Sequence, residues 1–166
     1  MVRFPCVLAF TLALASSAFA GPADSGAASM VTQIRAAYGL GPVRIDPALT
    51  KAAERQAEAM ASAGVLSHEI GGSFGSRMNA AGLGNVIAAE NVGVGHRSMQ
   101  GAIDSWQRSP GHQANLLMRE ATRIGVARSG NYYAMVLAAD NAPGRYASSG
   151  FSFGILPFGV GFVVGR

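Results

Sequence analysis

The sequence is almost without cysteine. Its 166 residues contain one, Cys6, so everything after position 6 must fold without a disulfide, a thiolate metal ligand or a cysteine nucleophile. Lysine is as scarce: Lys51 is the lone lysine among 13 basic residues, and the rest are arginine. Charged residues make up 13% of the chain, against 49% hydrophobic, which is not the composition of a disordered segment. No dense basic run interleaved with aromatics occurs, and that argues against nucleic acid as a partner. No unbroken apolar stretch reaches the roughly 20 residues that a membrane-spanning helix wants. There is no His-Glu-x-x-His pair, so the helical two-histidine zinc site of metalloproteases is excluded.

What is present begins with an address. "MVRFPCVLAFTLALASSAFA" combines Arg3, an apolar run from Val7 to Ala15, and small residues at Ala18 and Ala20. This is the layout of a secretory signal peptide over residues 1–20, cut after Ala20 and leading to an extracellular or periplasmic location. Cys6 precedes the apolar run, which is the wrong side for lipid attachment. The remaining residues suit one compact domain large enough to bury a core without disulfides.

Along that remainder, residues 21–29 ("GPADSGAAS") read as a loose, turn-prone lead-in to a domain over 30–140. Met30, Ile34, Ala37 and Tyr38 recur at helical spacing, with Gly39 as a stop. Asp46 and Pro47 form an N-cap and first-turn proline, and Leu49, Ala52, Ala53, Gln56, Ala57 and Met60 then trace one helix face ended by Gly64. A short helix fits Phe74–Ala81. "GLGNVIAAENVGVG" reads as loop with short extended pieces. Ser98 opens a helix that buries Ala102, Ile103 and Trp106, and Ser109 with Pro110 opens another that carries His112, Leu116 and Leu117. "RIGVARS" and "YYAMVLAAD" form a hairpin through Ser129-Gly130-Asn131. Helices first and paired strands later predict an α+β sandwich. Residues 141–166 form a Gly-rich apolar tail, read either as an extra strand or as a loose end.

The candidates for chemistry are few. His112, in the first turn of its helix, sits where the dipole favours neutral imidazole, the form that ligates metal or accepts a proton. Glu90 lies in the mostly apolar "AAENVG" and needs a partner if buried. His68 follows a helix stop. Arg97, Arg108, Arg119, Arg123 and Arg128 gather in one region, as a solvated face or as a binding face for anionic envelope polymers or lipid headgroups.

"SHEIGGSFGSRMNAAG", "AAENVGVG", "AIDSWQRSPGHQANLLMREATRIGVARS" and "YYAMVLAA", in that order, resemble the CAP superfamily (cysteine-rich secretory, antigen 5 and pathogenesis-related proteins), in its disulfide-free bacterial branch. The resemblance covers roughly residues 28–139. It implies a three-layer α-β-α sandwich with a central, mainly antiparallel sheet and an open cleft. It also implies a core role for Trp106 and a cleft built from His68, Glu90 and His112. The family's second cleft acid is replaced by Ser109, as is common in bacterial members, and Asn91 and Arg77 match supporting positions.

Three functions follow as expectations. The first is a non-enzymatic binding module whose cleft holds a lipid, a cell-envelope component or a divalent metal such as zinc. The metal would rest on His68 and His112, with water or Glu90 completing the shell. The second is a hydrolase using Ser109, His112 and Glu90, or a metal-activated water; a capping role for the Ser109 hydroxyl weighs against it. The third is an envelope scaffold or adhesion protein.

Overall fold

The computed structural model describes residues 22–84, 86–140 and 162–163. The signal-peptide reading falls on residues outside that set, as does all of the tail except Phe162–Val163. In chain order the elements are α1 (Pro22–Ala36), β1 (Arg44–Ile45), α2 (Pro47–Ala63), α3 (Phe74–Ala80), β2 (Ala88–Val94), α4 (Met99–Gln107), α5 (Pro110–Leu116), β3 (Ala121–Ser129), β4 (Tyr132–Ala139) and β5 (Phe162–Val163). The strands form one sheet in the order β1-β3-β4-β2-β5. Only the β1/β3 pair is parallel.

Each face of the sheet has its own core. On one face, Ala27, Val31 and Ile34 of α1, Ile103 and Trp106 of α4 and Leu116 of α5 pack against Ala89, Ile124, Met135 and Leu137. On the other, Leu49, Ala53, Ala57 and Met60 of α2 and Phe74 and Met78 of α3 pack against Ala88, Val92, Val136 and Ala138. The expected three-layer α-β-α sandwich with a mainly antiparallel sheet is the observed one.

Local chemistry explains most of the helix starts. The Asp46 side chain accepts from Ala48 N at 2.8 Å and Leu49 N at 3.2 Å, and Gly64, at φ 67°, closes α2 in the left-handed region. The buried face of α2 is the six-residue face read from the sequence. Ser73 and Ser98 cap α3 and α4 in the same way as Asp46 caps α2, accepting from Ser76 N and Gly101 N.

Four sequence expectations need correction. Residues 22–29 are not a loose lead-in: α1 starts at Pro22, and Ala27 and Ala28 are buried in the core on that face of the sheet. Helix α1 also ends two residues early, leaving Tyr38 53% exposed, while Arg35 takes the buried place. The Arg35 guanidinium donates to the carbonyls of Gly41, Leu116, Met118 and Ala121, and so ties α1 to the turn after α5. The stretch around "AAENVGV" is a seven-residue interior strand, paired with β4 along its whole length. Gly93 masked the pattern: a Cβ there would come 3.0 Å from the His96 ring and 3.4 Å from Trp106 Nε1, so this glycine answers to packing within a strand. Finally, Arg123 belongs to no solvated face: it is 6% exposed and pairs with Asp46 at 2.7 Å.

Gly125 on β3 sets how closely α2 can approach the sheet. A Cβ there would lie 2.1 Å from the Leu49 carbonyl carbon and from the Thr50 amide nitrogen, backbone atoms that cannot rotate away. Gly125→Ala must push α2 off the sheet, so it is expected to destabilise the domain by at least the roughly 1–3 kcal/mol typical of overpacking. Chemical denaturation measures this, and an unchanged midpoint would refute the close packing.

Candidate functional site

Strand alternation turns Glu90 towards the α2/α3 layer, between Ala88 and Val92, and Asn91 towards the α4/α5 layer. Glu90 is 1% exposed. A carboxylate in that position is costly unless it is paired and hydrogen-bonded. Arg77 of α3, itself buried, supplies the pairing: its Nη2 donates to Glu90 Oε1 at 2.8 Å and Oε2 at 2.6 Å. The other terminal nitrogen, Nη1, donates to the carbonyls of His68 and Gly72. One guanidinium thus holds the carboxylate and the loop that carries His68.

His68 Nδ1 meets Glu90 Oε1 at 2.8 Å. A carboxylate paired with arginine can only accept, so Nδ1 carries the proton and donates. His112 approaches from the opposite layer. Its Nδ1 lies 3.0 Å from Ser109 Oγ, and its backbone carbonyl accepts from Asn91 Nδ2 at 3.1 Å. Burial, and then the repulsion of the His68 ring, hold the His112 imidazolium below its ordinary pKa of 6.5, so the ring is neutral at neutral pH. Neither histidine's Nε2 has a hydrogen-bond partner among the described residues.

Among the described residues, β5 pairs with β2 only at Ala88 and Ala89. Beyond them, side chains replace a strand: Asn115 Nδ2 donates to Glu90 O at 3.1 Å, and Trp106 Nε1 donates to Val92 O at 3.0 Å. Asn115 Nδ2 also donates to Asn91 Oδ1 at 2.8 Å, linking α5 to the residue that holds the His112 carbonyl. Trp106 is therefore a core residue with a second job at the strand edge.

Of the four expected residues, His68 pairs with Glu90 and His112 with Ser109, and Asn91, next to Glu90 on β2, holds the His112 carbonyl. Two of their expected roles change. Glu90 is not free to complete a metal shell, since Arg77 and His68 occupy both oxygens. Among the described residues no group of three His, Cys, Asp or Glu could hold a metal ion. Ser109 occupies the N-cap of α5, yet its side chain makes no cap bond; it meets His112 instead. His96 stands apart, edge-on to Tyr133 with ring centroids 5.7 Å apart.

Gly71-Gly72-Ser73-Phe74-Gly75 has the spacing of a hydrolase nucleophile elbow. It follows a loop rather than a strand, however, and its serine caps α3. The reading of the sequence missed Asn115 altogether. The available signal was a polar residue on the same short helix as His112, directly before the buried Leu116.

Solved structures place this geometry in a known fold. An extracellular protein containing an SCP domain from Bacillus anthracis str. Ames superposes with a TM-score of 0.64 at 24% identity, over 70% of this chain and 41% of that one. An outer surface protein from Borrelia burgdorferi matches with a TM-score of 0.62 at 18% identity, over 69% of this chain and 90% of that one. Among curated proteins, the uncharacterized protein YkwD of Bacillus subtilis (strain 168) is 30% identical over 95 residues, 55% of this chain. The chain spans only 37% of that relative's length. The two solved relatives are thus described as extracellular or outer-surface proteins, and no described helix is long and apolar enough to cross a membrane. The model of the cysteine-rich secretory protein family, CAP, matches residues 28–138, more than half of the sequence. The chain belongs to the CAP family.

Proposed function

We propose that the protein is exported and acts as a non-enzymatic binding domain, with the cleft between His68 and His112 as its ligand site. The observation that carries this reading is the pair of imidazoles held through Nδ1, His68 by Glu90 and His112 beside Ser109, while neither Nε2 is engaged. A half-buried ring pinned on one side and unpartnered on the other is arranged to meet something that comes from outside.

A cation is one guest this donor set suits. Structural zinc takes four protein ligands and catalytic zinc three, so a resident zinc ion does not fit two imidazoles. A loosely held divalent ion does fit, with His68 and His112 as its protein ligands; bound there, it would polarise an oxygen of whatever ligand completed its shell. A cell-envelope component, lipid or polymer, is the partner class that export and the formal charge favour, +4 for the whole sequence and so +3 once Arg3 leaves with residues 1–20. Enzymatic readings draw less support, because Glu90 is locked by Arg77 and cannot move a proton freely.

Calorimetric titration with zinc and native mass spectrometry, before and after chelation, test the cation reading. Affinity is expected to be modest and to fall as pH drops through the histidine range, because protonated imidazole cannot ligate. His112→Ala is expected to abolish binding and leave the melt nearly unchanged. A variant that melts far lower, beside a native protein that binds no zinc, would make His112 a packing residue.

Stability should report the same ring independently. The His112 pKa is depressed on folding, so below 6.5 the unfolded chain binds the extra proton first. The contribution of neutral His112 is complete above 6.5 and is lost as pH falls towards and through the folded value. Between about pH 7 and pH 5, His112→Ala should therefore lose less stability than the native chain. Parallel slopes in denaturation midpoint against pH would contradict this.

A further inference from the structure

Helices α2 to α5 all start on a residue in extended conformation with a capping side chain, Asp46, Ser73, Ser98 and Ser109. Three of those side chains accept a backbone N–H of their helix. Ser109 alone does not; its Oγ lies 3.0 Å from His112 Nδ1. A serine in the right place and conformation to cap, which leaves the cap unmade, has another use for its hydroxyl.

We propose that Ser109 is a positioning residue that fixes the tautomer of His112: its oxygen accepts from Nδ1–H, which leaves the lone pair on Nε2. The inference rests on the binding reading above and specifies the chemistry of that same site. His68 gives its Nδ1–H to the Arg77-paired Glu90, which can only accept, so that in its neutral form the ring carries its lone pair on Nε2. Ser109 Oγ makes no bond to its own helix backbone, and the His112 ring nitrogen at 3.0 Å is its partner among the described residues.

The serine oxygen has two acceptor sites, and neither is taken by the helix backbone, so it can receive Nδ1–H without competition. With both nitrogens bare, the cleft floor accepts and does not donate. It suits a divalent cation, and it offers nothing to a carboxylate or phosphate approaching without one.

The test reads the tautomer directly, by long-range ¹H–¹⁵N correlation of the imidazoles in the metal-free protein at a pH above the histidine range. Native His112 should carry its proton on Nδ1. Ser109→Ala should move the ring towards Nε2–H, the form free histidine prefers, and Ser109→Thr should restore the native spectrum. Zinc titrated into the same samples should bind Ser109→Ala about 10-fold or more weakly, the usual penalty for losing an orienting partner. Melting temperatures should hardly differ, because no cap bond is lost.

A native His112 found as Nε2–H would overturn the proposal, since Ser109 would then be donating, the arrangement for an activated serine. So would a tautomer that Ser109→Ala leaves untouched. A native Nδ1–H form that shifts in Ser109→Ala, in a protein that binds no zinc, would uphold the role of Ser109 and refute the cation reading alone.

Discussion

A carboxylate sits near the middle of the domain with 1% of its surface exposed, and the site is arranged around satisfying it. Glu90 cannot be left bare in an apolar layer, and water cannot reach it. Arg77 answers from α3 and His68 from the loop after α2, so burying one charge fixes two other elements. The arginine does more than neutralise. Its second nitrogen collects the carbonyls of His68 and Gly72, and its guanidinium lies 5.8 Å from the Phe74 ring centroid. Buried ion pairs are weak contributors to net stability but severe to break, so their value here is in specifying position.

Position matters because the cleft is assembled from both layers of helices. An open sheet edge normally exposes a row of unpaired backbone groups that invites other strands. Past Ala89, among the described residues, the carbonyls of Glu90 and Val92 are satisfied instead by the side chains of Asn115 and Trp106. The Asn91–Asn115 pair then locks the first turn of α5 to the strand. Each histidine is thereby held by a different layer, and only the strand between them relates the two.

Much of this was legible in the residues. The face of α2 from Leu49 to Met60 was written in its periodicity, and the capping signals at Asp46, Ser98 and Ser109 marked helix starts correctly, because both depend on neighbours in sequence. The cleft set of His68, Glu90, Ser109 and His112 came from the family resemblance, since residues so far apart in the chain share no local pattern. What stayed hidden depends on tertiary partners. Arg35 looks like a surface arginine until the carbonyls that receive it are in place, and the resemblance marked Arg77 as a support without naming the carboxylate it holds. β2 read as loop because Gly82 and Gly95, at positive φ, bracket it, while Gly93 inside it answers to the packed side chains of His96 and Trp106. The diversion of Ser109 from capping to His112 was also invisible, since sequence shows that a serine can cap and not what its hydroxyl chooses.

The chain belongs to the CAP family, and two of the solved structures it resembles are described as extracellular or outer-surface proteins. The interior of the cleft gives the domain its chemistry. That chemistry rests on Glu90 and Arg77 being one unit, and a double-mutant cycle in stability measures this most directly. Arg77→Met should cost about 3–5 kcal/mol, because it strands a buried charge. Adding Glu90→Gln to it should recover part of the loss, giving a coupling of roughly 0.5–3 kcal/mol. Single losses that are small and simply add would mean that the pair does not hold the site together.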